Sequence, residues 1–136
     1  MIMNRDRREY SRLRLKDTLA DVFVNKTNKE MTVTVHDISE NGISFEFPKE
    51  YRDDIQVHDE IRFQFVAEYY FGDNFESDIV MEKASIRHIN ETDDYLLVGC
   101  SVRSLKYNEF VTHRQIAHEV EIRLSNIQKN RRRKIL

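Results

Sequence analysis

From about residue 18 to residue 103 apolar and polar side chains alternate, the period of a strand with one face buried and the other in water. Met31, Val33 and Val35 form one apolar stripe, with Thr32, Thr34 and His36 on the opposite face. Ile43, Phe45 and Phe47 form a second, Ile61, Phe63 and Phe65 a third, and Leu96, Val98, Cys100 and Val102 a fourth. Leu19 to Val24 and Ile79 to Ile89 complete about six strands, rich in β-branched and aromatic residues. In the Ile79 to Ile89 segment the parity slips between Met81 and Ala84, which predicts a bulge there. The segments are separated by turn-forming residues at 25–29, 39–42, 71–74 and 90–94, and Pro48 ends the strand at Phe47. The pattern predicts a mainly β domain built as an antiparallel barrel or sandwich.

After Arg103 the period changes. Phe110, His113, Ala117, Val120, Leu124 and Ile127 recur at alternating steps of three and four, which places them in one stripe of a helix from about Glu109 to Gln128, with Asn108 as its expected cap. The basic run that follows suits the negative end of the helix dipole. Packing on the chain's own barrel is the favoured fate of the stripe. Pairing with a second copy through Phe110, Ala117, Val120, Leu124 and Ile127 is the alternative.

Length refines this to one domain, since 136 residues supply one modest core. The expected organisation is a flexible basic arm over 1–17, a β-barrel over 18–106, a helix over 107–130 and a basic tail over 131–136. Cys100 is the lone cysteine and has no partner for an internal disulfide, which favours a reducing compartment. With no apolar stretch behind Met1–Arg8 and no run long enough to span a bilayer, the expectation is a cytoplasmic protein without a membrane span.

Charge changes the picture more than composition does. The formal net charge is −2, yet residues 1–16 carry +4, residues 129–136 carry +5, and the stretch between them carries −11. An anionic body repels a nucleic acid duplex, whereas a local cationic arm can still capture a small phosphorylated ligand. Metal binding and catalysis find little support. His36, His58, His88, His113 and His118 lack the spacing of a metal site, and no serine sits in a nucleophile motif. No metal, no cofactor and no enzymatic activity are expected.

Two short constellations remain. Arg8 and Arg12 stand four residues apart in an arm that also holds Arg5, Arg7 and Arg14. A guanidinium is a planar fork that takes phosphate oxygens, or the O6 and N7 edge of guanine, in paired hydrogen bonds. The second constellation, Asp37-Ile38-Ser39-Glu40-Asn41-Gly42, joins two strong strand patterns. Its Asp37 carboxylate is a fitting acceptor for the donor edge of guanine, Ser39 can bond the local backbone, and Gly42 can adopt a positive φ.

Together these segments resemble the PilZ domain, a bacterial family marked by RxxxR followed about 20 to 30 residues later by (D/N)xSxxG; here these are Arg8 to Arg12 and Asp37 to Gly42. Ala84-Ser85-Ile86-Arg87 looks like the family's strand with a recurrent arginine, and Leu97 to Val102 like its glycine-bearing last strand. The resemblance implies a six-stranded barrel with a C-terminal helix that binds cyclic di-GMP on its outer surface, its arm wrapping over the ligand. It also implies roles. Arg8 and Arg12 contact phosphates and guanine, Asp37 and Ser39 a guanine edge, and Gly42 keeps the turn open. Arg7 is compatible with a stacked pair of ligand molecules. The output would be a new surface shown to a partner protein; the alternative function is an interaction or oligomerisation module acting through the helix.

Overall fold

The computed structural model describes residues 13–15 and 17–135, with side chains up to residue 130. Six antiparallel strands, β1 (Leu19–Val24), β2 (Lys29–Ser39), β3 (Gly42–Phe47), β4 (Glu60–Phe71), β5 (Asn74–Glu91) and β6 (Leu96–Ser101), are followed by a helix, α1 (Leu105–Ile135). The strands close into a barrel in the order β1-β2-β3-β6-β5-β4, with β4 returning to β1. The expected mainly β fold with a C-terminal helix is therefore what the chain adopts. Closure leaves no free sheet edge along the ring. The alternating stripes meet inside: Val22, Val24, Phe45, Phe47, Ile61, Ile86 and Val98 are all buried. Phe63 packs edge-on against both Phe45 and Tyr107, the latter from α1.

Two hairpins are two-residue turns, each with its positive φ on a suitable residue. Gly72 adopts φ 64° between β4 and β5, and Asn41 adopts φ 62° between β2 and β3. A short 3₁₀ turn at Lys49–Asp54 follows Pro48.

The bulge in β5 does not lie between Met81 and Ala84. The β4–β5 pairing is unbroken from Glu60↔Ser85 to Phe71↔Asn74, and the extra residue is Arg87, where the β5–β6 register shifts between Ile86 and His88. Ile79 and Met81, read from the sequence as inward, point outward at 69% and 66% exposure. Val80, Ala84 and Ile86 face the core in their place. The physical reason is that Ile79 and Met81 line an outer groove against Tyr107, Phe110 and His113 of the helix, so an apolar residue there does not mark the inner face. A second bulge, at His36 in β2, shifts the β2–β3 register between Val35 and Asp37 and turns Ile38 into the core.

The helix begins earlier than its apolar period suggests. Ser104 caps it: its Oγ accepts from the Tyr107 amide at 3.1 Å, and its carbonyl accepts from the Asn108 amide at 3.1 Å. Asn108, the expected cap, sits in the second turn and bonds the β2–β3 turn. The stripe is also displaced: Tyr107, Val111 and Ala117 are buried, with Phe110 packed at the margin of the core. His113, Leu124 and Ile127 are exposed. The first half of α1 thus lies on the barrel and the second half carries its apolar residues into solvent.

Candidate functional site

The β2–β3 turn, β6 and the bulged stretch of β5 enclose a shallow groove of about 270 Å³ on the outer wall of the barrel. Asp37, Ser39, Gly42, Ser44, Arg87, His88 and Gly99 are among its lining residues. Both bulges flank it. By adding a residue without extending the partner strand, each reverses the inside–outside parity of its own strand, and this turns Asp37 and His88 outward.

Three of the residues singled out in the sequence, Asp37, Ser39 and Gly42, come together here. The Asp37 carboxylate accepts the Ser44 hydroxyl at 2.5 Å through one oxygen, which orients it; among the described residues no donor is seen on its second oxygen. Gly42 has a role different from the one expected: the positive φ belongs to Asn41, and Gly42 is the first residue of β3. A Cβ at Gly42 would meet Ser39 Oγ at 3.1 Å, so the glycine keeps space beside that hydroxyl. Arg7, Arg8 and Arg12 lie outside the described residues.

The turn is held from beneath by α1. Tyr107 Oη donates to the Gly42 carbonyl at 2.5 Å, and burial, followed by the charge of Asp37, pushes its phenol above the ordinary range. Asn41 and Asn108 bond twice, through the Asn41 amide to Asn108 Oδ1 at 2.8 Å and Asn108 Nδ2 to Asn41 Oδ1 at 2.9 Å. The Asn41 carbonyl accepts the Val102 amide at 2.9 Å.

On the far side of the groove, Arg87 Nε donates to Ser101 Oγ at 3.0 Å, which ties an otherwise exposed guanidinium to β6. The His88 imidazole covers Gly99 so closely that a Cβ there would fall 2.0 Å from Cε1. Arg87, His88, Gly99 and Ser44 were not among the site residues read from the sequence. The signals that pointed to this wall were the glycine inside a strand and the recurrent arginine of the family resemblance, Arg87.

The chain also approaches the groove from its N-terminal side. Leu13 forms an antiparallel bridge with Ile38, its amide donating to the Ile38 carbonyl and its carbonyl accepting the Ile38 amide, both at 2.8 Å. Leu13 and Leu15 are buried. Ile38 is the residue between Asp37 and Ser39.

Among the described residues, no group of three or more His, Cys, Asp or Glu side chains could hold a metal ion, and no helix is long and apolar enough to cross a membrane.

Comparison with known proteins places these features in context. The family model for the PilZ domain matches residues 6–121. No curated protein matches the sequence. Among solved structures, the chain is similar to the inhibitor of motility MotI/DgrA of Bacillus subtilis, with a TM-score of 0.62 and 11% identity over 82% of this chain and 50% of that one. It also aligns with the PlzA protein of Borreliella burgdorferi solved in complex with c-di-GMP, with a TM-score of 0.49 and 7% identity over 91% of this chain and 58% of that one. The chain thus spans about half the length of MotI/DgrA, and at such identity the likeness is one of fold.

Proposed function

The chain belongs to the PilZ domain family, and from that premise we propose that it is a receptor for cyclic di-GMP that performs no chemistry on its ligand. The observation that carries this reading is the Leu13–Ile38 bridge. Consecutive Cα atoms are about 3.8 Å apart, so Arg12 is one peptide unit from a residue hydrogen-bonded between Asp37 and Ser39. The bridge therefore supports a reading in which both halves of the family's ligand signature act at one groove.

In this reading Arg8 and Arg12 grip phosphates and guanine, while Asp37 and the Ser39 hydroxyl take a guanine edge. Gly42 leaves the room beside Ser39 that a base needs. Arg7 contributes where two stacked ligand molecules bind. The arm wraps over the ligand, charge-assisted hydrogen bonds offset its lost conformational entropy, and the surface so formed is what a partner protein reads.

Isothermal titration with cyclic di-GMP tests the proposal. Saturable binding is expected, and Arg8→Ala or Arg12→Ala should each weaken it at least about tenfold, the loss of a charge-assisted bond pair. Absence of saturable heat at tens of micromolar ligand overturns it.

A second reading, assembly through α1, is favoured by one observation. Ile116, Ile122, Leu124 and Ile127 are exposed on the helix, the last three beyond its contact with the barrel. Oligomerisation would use Leu124 and Ile127; Phe110 and Ala117, also expected in such an interface, are already taken up by the barrel side.

A further inference from the structure

A second charged feature lies on the barrel wall beyond the ligand groove. In the β4–β5 ladder Arg62 pairs directly with Lys83, and the β5–β6 register that pairs Ser85 with Ser101 brings Arg103 level with Lys83. Three exposed cations therefore line one groove, Arg62 and Lys83 on neighbouring strands and Arg103 just past the end of β6. Like charges directly opposite on adjacent strands destabilise a sheet. Arg62 spreads over the Phe23 ring at 4.5 Å, and among the described residues none of the three has a carboxylate within ion-pair distance. Glu82 lines a groove with all three, its carboxylate accepting the Ser104 hydroxyl at 2.9 Å, and Glu60 lines an adjoining groove with Lys83 and Arg103.

The group ends at the start of α1. The first turn of that helix includes Lys106 and holds no acidic residue, and its N-terminus is capped by Ser104, whose hydroxyl donates to Glu82. Lys83 and Arg103 line two adjoining grooves, one of which also contains the hydroxyls of Ser85 and Ser101. Arg87 and Ser101 belong both to that groove and to the candidate ligand groove. A repulsive group of cations in a body of net charge −11 is accounted for by an anion that neutralises it.

We propose that Arg62, Lys83 and Arg103, with the hydroxyls of Ser85 and Ser101, form a second anion site that takes a phosphate-bearing group. The phosphate belongs either to a free phosphorylated metabolite or to a cyclic dinucleotide reaching over Arg87 from the neighbouring groove. Only the second source rests on the function proposed above.

Backbone amide NMR of the full chain, titrated separately with inorganic pyrophosphate and with cyclic di-GMP, tests this. Saturable shifts are expected at Lys83, Ser85 and Arg103. In Lys83→Gln/Arg103→Gln the affinity behind those shifts should fall at least about tenfold. The equally charge-reduced control Lys26→Gln/Lys49→Gln should retain it. Shifts with pyrophosphate alone assign the site to a free phosphate, and shifts with the dinucleotide assign it to the ligand's own phosphate. The proposal is overturned if neither ligand moves these amides, if the shifts persist unchanged in the double variant, or if sodium chloride of equal ionic strength reproduces them. A protein that failed to bind cyclic di-GMP would leave the pyrophosphate arm intact.

Discussion

Gly99 and His88 show how the absence of one methyl group shapes the wall of the proposed ligand groove. In Gly99→Ala the new Cβ would occupy the space of the His88 ring. The ring must swing away into the groove, at a cost of about 1 kcal/mol for overpacking at an exposed site. Cyclic di-GMP affinity should fall in this variant, and His88→Ala/Gly99→Ala should recover the stability in urea denaturation. Tyr107 acts from the opposite side. Tyr107→Phe removes the bond to the Gly42 carbonyl and should cost about 1–2 kcal/mol, the penalty of a buried acceptor left without its donor. The pH dependence follows in sign. Burial raises the Tyr107 phenol and pushes the Cys100 thiol up to about 12 from an ordinary 9.0. Above about pH 9 the unfolded chain releases protons that the folded chain retains, so stability should fall as pH rises. Below that range both groups are protonated in either state and contribute no slope. Denaturation midpoints measured across the alkaline range should decline less steeply in Cys100→Ala.

At the scale of elements, the bridge between Leu13 and β2 is the join between arm and barrel. Leu13 is 7% exposed, and Leu13→Ala should cost about 2 kcal/mol as a large-to-small change in a buried position. Its more telling effect is on ligand affinity: if the bridge seats the arginine arm, binding should weaken although every proposed ligand contact is still present. Unchanged affinity in Leu13→Ala would separate the arm's anchoring from recognition. The helix divides into two halves of different character. Its packing half was partly legible, since Phe110 and Ala117 fell in the predicted stripe. Of the true anchors, Tyr107 lies one step before Phe110 but ahead of the expected start of the helix, and Val111 lies beside the counted stripe. Leu124→Glu/Ile127→Glu should leave the barrel's stability unchanged. If the second half of α1 joins copies, static light scattering will show this variant lighter than the parent; equal masses dismiss assembly by that route.

At the scale of the molecule, the segregation of charge is the governing feature. Cations at both ends of the sequence and an acidic middle give a body that attracts small anions only where its cations are gathered. Cyclic di-GMP affinity should therefore fall steeply as salt rises, through screening of the arm–phosphate attraction. Titrations at two ionic strengths check this, and a salt-independent affinity would count against the arm's part in binding.

Alternation of side chains, a local property, was enough to determine the six strands, the turns between them and the presence of a helix. The ligand motif was legible for the same reason, as Asp37, Ser39 and Gly42 lie within six consecutive residues. Register between distant strands was not legible, because it is set by closure of the ring and by bulges whose position depends on what each face covers. Only the tertiary structure placed Arg87 and His88 opposite the Asp37–Gly42 turn, set Tyr107 and Asn108 beneath it, and brought Arg62, Lys83 and Arg103 to one groove. These residues are far apart in sequence, and what joins them is the pairing of strands through backbone hydrogen bonds that carry no side-chain signature.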